Sequence, residues 1–351
     1  MLPIIFILKF LSTLKKIWFT MVSNINKPTT KEALLQRLRE VQGTWVSGQL
    51  LSRELSISRT AVSKNIRTLS QEGYQIQAVT KKGYRLMVIP DRLFGAEIKQ
   101  NLNTRIFGQQ EIHHYEVIHS TNIRARKLAE KGAPEGTLVI AESQTAGRGR
   151  RGRLWVSPQN DGIYLSLIAR PQLSPSEAPQ ITLLTAVALA NAIMNQTDLL
   201  VQIKWPNDLL IRGRKLSGIL TELHTEGDLV DYVVIGVGVN VNTTIKALSV
   251  VTDQKVTSIA IETNRRVSRL KLLQAFLVDF EYQYTLLITH GFGPILERWK
   301  TLAGIVGQII RVDVAGRAIK GRVVDIGQTG VLIVESETGE VQQVFSGDLR
   351  I

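Results

Sequence analysis

Five short segments in the middle of this 351-residue chain carry residue types suited to chemistry on anions. The run Gln144-Thr-Ala-Gly-Arg-Gly-Arg-Arg-Gly-Arg153 sets Gly147, Gly149 and Gly152 among Arg148, Arg150, Arg151 and Arg153. Glycines let backbone amides approach an anion closely, and guanidinium forks match phosphate oxygens two at a time. Its like charges repel, so the loop should be poorly ordered alone and fold over a nucleotide. A basic RNA-contacting or flexible loop is the plainer alternative. Lys204-Trp-Pro-Asn-Asp208 has turn chemistry at a strand end, where Asp208 offers oxygens for Mg2+ beside phosphates. Lys215-Leu-Ser-Gly-Ile-Leu220 puts Lys215 at the mouth of an apolar strand, with Gly218 leaving room for a ligand. A solvated strand end would look the same. Gly236-Val-Gly-Val-Asn240 has glycines inside a strand, a sign of close approach by a backbone or ligand. Ser120-Thr121-Asn122, at the turn into a helix, adds hydroxyls and free amides. No segment is decisive singly.

The elements that must position these residues read as α+β. Strands are expected at Glu111–Ile118, Leu138–Glu142, Ile163–Ala169, Val201–Trp205, Leu216–Glu222 and Tyr232–Val239. Helices are expected over about Asn122–Lys131, Ser176–Met194 and Arg269–Ile288. Together they give a mixed sheet within residues 91–303. Residues 304–351 read as short strands between Ala-Gly, Gly-Gln-Thr-Gly and Glu-Thr-Gly turns, the pattern of a small SH3-like β-barrel.

Composition narrows the chemistry. The chain has no cysteine, which excludes thiolate catalysis and a disulfide scaffold, and its five histidines show no zinc-site spacing. Its net charge of +13 is local rather than spread. Residues 27–90 carry 11 bases against 4 acids, and the arginine loop adds four more bases. Local basicity points to an anionic partner at a defined place.

Residues 27–90 read as a winged helix-turn-helix. Thr29 and Glu32 form a capping box before a helix faced by Leu34, Leu35, Leu38 and Val41. Ser47 and Ser58 can cap two more helices, and Gly43 and Gly73 are stops. Ser58, Arg59, Thr60, Ser63, Lys64 and Arg67 are left to contact a major groove, and Lys81 and Lys82 tip a basic hairpin. A small three-helix domain with a solvated basic face is the bland alternative. Residues 1–26 carry three lysines, no acid and an interrupted apolar run. The run is too short and charged for a membrane span and is in the wrong order for a signal peptide. It reads as an extension to a chain starting at Met21, with an interfacial anchor as the minor alternative, so no stable membrane association is expected.

Taken together and in order, these segments resemble the bifunctional biotin–protein ligases that also repress the biotin operon. The matching residues are Ser120-Thr-Asn122, Gln144 with Gly147-Arg-Gly-Arg-Arg-Gly152, Trp155, Lys204-Trp-Pro-Asn-Asp208, Lys215-Leu-Ser-Gly218 and Gly236-Val-Gly-Val-Asn240. Ser217 stands where some relatives carry Ala. The resemblance implies an α+β multidomain protein: a winged helix-turn-helix, a central class II synthetase-like mixed-sheet ligase domain and an SH3-like C-terminal barrel. It implies biotin and ATP as substrates with Mg2+, formation of biotinyl-5′-AMP, and transfer of biotin to a lysine of the biotin carboxyl carrier protein of acetyl-CoA carboxylase. By the same resemblance Lys215 and Arg150 are catalytic. Ser120, Thr121, Asn122, Gln144, Gly147, Arg148, Gly149, Arg150, Trp155, Lys215, Gly218 and Asn240 would bind biotin and the adenylate, and Lys204, Asn207 and Asp208 would lie near nucleotide and Mg2+. A cytoplasmic, adenylate-dependent homodimer on operator DNA completes the expectation. A ligand-sensing regulator without ligase activity and a lipoate or octanoate attachment enzyme are the competing readings.

Overall fold

Three side-chain hydroxyls start the three helices of the N-terminal unit. Thr29 accepts from the Glu32 amide, while Glu32 returns the bond to the Thr29 amide, opening α1 (Thr30–Glu40). Ser47 and Ser58 likewise cap α2 (Gly48–Glu54) and α3 (Arg59–Gln71). Such caps satisfy amides that a helix start leaves orphaned. An antiparallel hairpin follows, β1 (Gln75–Val79) and β2 (Gly83–Val88), turning through Lys81 and Lys82. Leu34, Leu38, Leu51, Val62, Leu69 and Leu86 form its buried interior. The computed structural model describes residues 29–249, 255–314, 317–345 and 347–350, so the extension over 1–26 lies outside the described residues. The chain divides into two compact units at Pro90/Asp91.

The second unit begins with the short helix α4 (Gly95–Lys99), then β3 (Ile112–Tyr115), α5 (Thr121–Ala129) and β4 (Leu138–Ala141). The arginine loop forms β5 (Gly147–Arg148), a 3-10 turn and β6 (Leu154–Trp155). Next come β7 (Gly162–Ala169), α6 (Pro179–Gln196), β8 (Gln202–Lys204), β9 (Asp208–Ile211), β10 (Arg214–Glu226) and β11 (Leu229–Asn240). Helices α7 (Ile245–Ser249), α8 (Ile259–Thr263), α9 (Arg269–His290) and α10 (Gly293–Ala303) complete the helical part.

The main sheet runs β3-β4-β7-β11-β10-β9-β8, parallel only between β3 and β4. Strand alternation sends side chains to its two faces. Leu138, Ile140, Val233 and Ile235 join the large core with α6, α9 and α10, whereas Val139, Ile168 and Val234 pack with Ala125 and Ala129 of α5. Both faces are covered, so β7 is buried along its whole length. Helix α6 is buried nearly all round because it lies beneath α9 and α10 as well as the sheet. The Pro-Asn-Asp turn closes a β8–β9 hairpin that places Lys204 opposite Asp208.

The expectation of a C-terminal SH3-like barrel is overturned. Strands β12 (Ile309–Val314), β13 (Arg317–Ile326), β14 (Leu332–Glu335), β15 (Val341–Val344) and β16 (Asp348–Arg350) form an open sheet in the order β15-β14-β13-β12-β16. Closure would require the outermost strands to pair, and β15 and β16 do not pair among the described residues. The physical reason lies in where the apolar face goes. Ile310, Val312, Val323, Leu332, Val334 and Leu349 are buried in the same core as the helices and main sheet, not around a core of their own. Trp205 Nε1 donates to the Gly330 carbonyl at 3.1 Å and Gln180 Nε2 to the Gln328 carbonyl at 2.9 Å, fastening the sheet in place. Among the described residues, no helix is long and apolar enough to cross a membrane.

Candidate active site

A cavity of about 750 Å³ opens over the β7, β11, β10 and β9 strands, a size suited to a small-molecule site. Its wall contains Ser120, Thr121, Asn122, Gln144, Arg148, Gly149, Arg150, Trp155, Lys204, Asn207, Asp208, Lys215, Gly218 and Asn240. Of the residues singled out for this site, Gly147 alone lies off the wall. It belongs to β5, where a β-carbon would sit 2.4 Å from the Trp155 carbonyl.

Part of the cavity wall is a hydrogen-bonded polar cluster at the start of α5. Gln144 Oε1 accepts from the Thr121 amide at 2.9 Å and from Thr121 Oγ1 at 3.2 Å, while its Nε2 donates to Ser157 Oγ at 3.0 Å. Asn122 Nδ2 donates to the Leu220 carbonyl and to Glu222 Oε2, at 3.2 and 2.9 Å. Ser166 Oγ lies 2.9 Å from Thr121 Oγ1 and 2.7 Å from Asn122 Oδ1. Ser120 Oγ and Trp155 Nε1 are buried with no hydrogen-bond partner. A buried polar atom left unpaired costs about 1–3 kcal/mol, so Ser120 Oγ, on the cavity wall, is a position that a polar ligand atom would satisfy, whereas Trp155 Nε1 lies against Gly238.

The wall also carries cations. Lys215 Nζ lies 2.8 Å from Asp208 Oδ1, a close ion pair without hydrogen-bond alignment, and 5.7 Å from the centre of the Trp155 ring. The Lys215 backbone is gripped by segment 255–257: its amide donates to the Lys255 carbonyl and its carbonyl accepts from the Thr257 amide, at 2.8 and 2.9 Å. The repulsion expected within the arginine loop is answered by pairing outward. Arg148 Nη1 lies 3.6 Å from Glu222 Oε1, and Arg150 Nη1 donates to Asn207 Oδ1 at 2.9 Å. Asn207 Nδ2 in turn donates to the Ile219 carbonyl, at 2.8 Å.

The strand glycines make room for side chains of the site itself. A β-carbon on Gly236 would fall 2.1 Å from Asn122 Oδ1, and one on Gly238 would fall 2.5 Å from Trp155 Cε2. Gly218 faces Trp155, Asp208 and Lys215 at 3.2–3.5 Å. Sequence reasoning missed Glu222 and Ser166, whose roles depend on strand register, and the cavity residues Leu248, Lys255, Val256, Gly347 and Leu349. The last two come from the C-terminal sheet, and no motif marks them.

Outside the cavity, Glu142 is completely buried at the end of β4. It receives bonds from Arg269 Nη1 at 2.7 Å, the Leu93 amide at 3.1 Å and Arg92 Nε at 3.2 Å, and its Oε1 lies 3.2 Å from His114 Nε2. Burial alone would raise its pKa. The His114 bond and the Arg269 charge outweigh that and hold it at about 2. In the N-terminal unit, Ser58, Arg59, Thr60, Ser63, Lys64 and Arg67 are exposed along one helix, as are Lys81 and Lys82 on the hairpin. Arg85 stacks 4.7 Å from the Trp45 ring centre beside that hairpin tip.

The architecture and cavity define a protein that joins a helix-turn-helix unit to an enzyme of the ligase type. Residues 115–240 match the model of the Biotin/lipoate A/B protein ligase family, and residues 30–85 match an HTH domain. The bifunctional ligase/repressor BirA of Bacillus subtilis is 39% identical over 325 residues, covering 93% of this chain and 99% of the relative. BirA of Escherichia coli K12 is 31% identical over 315 residues, covering 88% and 94%. A biotin protein ligase from Aquifex aeolicus, solved with biotin and ATP, superposes with a TM-score of 0.57 at 24% identity over 68% of this chain and 97% of that one, a likeness of fold. The chain belongs to the BirA family of bifunctional biotin–protein ligases and transcriptional repressors.

Proposed function

We propose that the cavity binds biotin and ATP, that the acceptor is a lysine of the biotin carboxyl carrier protein of acetyl-CoA carboxylase, and that biotinyl-5′-AMP is also the corepressor. A carboxylate oxygen of biotin attacks the α-phosphorus, the bond from that phosphorus to the bridging oxygen breaks, and pyrophosphate leaves. The acceptor ε-amine then attacks the carbonyl of the mixed anhydride, forms the amide, loses a proton and releases AMP. Neither step needs a covalent enzyme intermediate; both need two anions held together and charge stabilised where it develops.

The observation that carries this reading is the set of groups that the cavity wall gathers. The same wall brings together the cations Lys215, Arg148 and Arg150, the unpartnered Ser120 Oγ and the Thr121–Asn122–Gln144 cluster. The cluster would take the ureido head of biotin, Trp155 would wall the site, and Lys215 would sit by the carboxylate and phosphate. Arg148 and Arg150 would hold phosphate and seal the adenylate from water, with Gly149, Gly218 and Asn240 shaping the wall and Lys204 near the nucleotide.

Among the described residues no cluster of three or more His, Asp or Glu could hold a metal alone. Mg2+ needs only one or two carboxylates when phosphates supply other ligands. Asp208 would supply that carboxylate, with the neighbouring Asn207 oxygen now accepting from Arg150, and the ion would screen phosphate charge. For the second activity, the exposed helix face from Ser58 to Arg67 and the Lys81-Lys82 tip would contact operator DNA, with adenylate-dependent homodimers matching a palindrome. A cytoplasmic location accompanies this reading.

ATP–pyrophosphate exchange with the purified chain tests it, comparing biotin, lipoate and octanoate. Exchange with biotin alone is expected. Exchange with lipoate or octanoate instead would move the substrate class, and none with any acid would leave the ligand-sensing regulator.

A further inference from the structure

Glu222 stands behind the cavity wall on β10 and reaches two residues of the site by different chemistry. Its Oε2 accepts from Asn122 Nδ2 at 2.9 Å, and its Oε1 faces Arg148 Nη1 at 3.6 Å. Asn122 is 4% exposed, and its amide has no freedom to turn over: the Leu220 carbonyl and the Glu222 carboxylate can only accept. With Nδ2 committed to them, Oδ1 is aimed at Ser166 Oγ at 2.7 Å and lies against Gly236. A carboxylate at position 222 therefore acts with the Leu220 carbonyl to fix which end of the Asn122 amide faces the polar cluster. The second contact differs in kind. Arg148 is 47% exposed and Glu222 30%, so an ion pair of this length is weak and open to exchange. A phosphate offering two oxygens can take the guanidinium over.

We propose that Glu222 is a positioning residue of the ligase site, which fixes the Asn122 amide through a hydrogen bond and holds Arg148 through a charge pair that an anionic ligand displaces. The inference rests on reading Asn122 and Arg148 as ligand-binding residues. It separates two properties of one side chain. Hydrogen-bond acceptance survives in Glu222→Gln and is lost in Glu222→Ala, whereas the negative charge is lost in both.

The test uses the full chain, with exchange kinetics against biotin and dissociation of preformed biotinyl-adenylate. Glu222→Ala should raise the KM for biotin about tenfold, with kcat within about threefold, as expected for loss of a charged hydrogen bond that acts in binding. Glu222→Gln should restore KM to within about threefold of the parent, because its carbonyl still accepts from Asn122. By removing the competitor for Arg148, Glu222→Gln should also slow adenylate release about threefold, and not in an Arg148→Gln background. A general loss of fold would depress kcat and lower Tm in both variants, a pattern this role does not produce. Unchanged KM in Glu222→Ala, a Gln variant as impaired as the Ala one, or an effect on release that persists without Arg148 overturns the inference. Absence of biotin-dependent exchange in the parent chain overturns the underlying site reading itself, which is a separate result.

Discussion

Gly238 lies directly against the indole of Trp155: a β-carbon there would stand 2.5 Å from Cε2 and 2.6 Å from Nε1. The strand could carry a larger residue without backbone strain, so the glycine serves the tryptophan. Trp155 in turn sits 5.7 Å from the Lys215 ammonium, so displacing the ring would disturb the charge proposed to face the reacting anions. Gly238→Ala is expected to lower kcat/KM for adenylation by about 5- to 150-fold, since overpacking costs about 1–3 kcal/mol and the Trp155 ring must shift to admit the methyl group. A variant with parental exchange kinetics would show that Trp155 can move without consequence.

Lys215 is held at both ends. Its backbone is bonded to segment 255–257 and its ammonium pairs with Asp208. Lys215→Gln keeps a polar end on a side chain one bond shorter and loses the charge. It is expected to cut kcat for exchange by about 100- to 1000-fold, the usual cost of removing one preorganised charge-stabilising group. Single-turnover formation of biotinyl-adenylate measures this directly. An equal effect on KM alone would move Lys215 from charge stabilisation to simple binding.

Much of this site was legible because its residues carry local signals. Gly-Arg alternation, Pro-Asn-Asp turn chemistry and glycines interrupting an apolar strand are visible without a fold. The capping hydroxyls Thr29, Ser47 and Ser58 were equally readable, since a cap and its helix are neighbours in sequence. What stayed hidden depends on register or on distant packing. The strand glycines announced a close approach but not its cause, which is Trp155 and Asn122. Glu222 looks like any strand-end acid until β10 aligns with α5. The C-terminal strands were visible as strands, but closure into a barrel is set by where their apolar face finds cover. Here that cover is supplied by residues such as Leu183 and Trp205, far away in the chain.

For the N-terminal unit, contacts to phosphate and to bases make different predictions. Arg67 and Lys64 are exposed on α3 beyond its buried Val62, Ile66 and Leu69. If each neutralises one phosphate, Lys64→Ala and Arg67→Ala should each reduce the slope of log K against log salt by about 0.9. Operator titrations across salt concentrations, with biotin and ATP present, provide the check. A weaker affinity with an unchanged slope would assign these residues to base edges instead.

Glu142 joins Arg269, Arg92 and His114 in the interior, and its carboxyl is held at about 2, below its ordinary 4.5. A depressed carboxyl stabilises the fold above the unfolded value and loses that contribution as pH falls from 4.5 towards 2. The linkage amounts to about 3 kcal/mol. Glu142→Gln should therefore lower stability at pH 7 by roughly 3 kcal/mol or more, because it also leaves the buried Arg269 short of a partner. The gap between parent and variant should narrow below pH 4.5. Urea unfolding at pH 7 and at pH 4 reads both effects, and a pH-independent gap would place the stabilisation in packing rather than in charge.

Arg150 donates to Asn207 across the cavity and so ties the arginine loop to the β8–β9 turn. Removing the side chain loses that tie and, on the proposed function, the positive charge over the phosphate, while Arg148 and Lys215 would remain to support adenylation. Arg150→Gly should therefore still form the mixed anhydride but release it sooner. Free biotinyl-adenylate acylates any exposed amine, so bystander proteins mixed with the variant should acquire biotin on unrelated lysines. An avidin blot of such a mixture, with the carrier domain as the control acceptor, distinguishes the cases. Labelling confined to the carrier domain would show that the seal on the adenylate lies elsewhere, with Trp155 and Arg148 the next residues to vary.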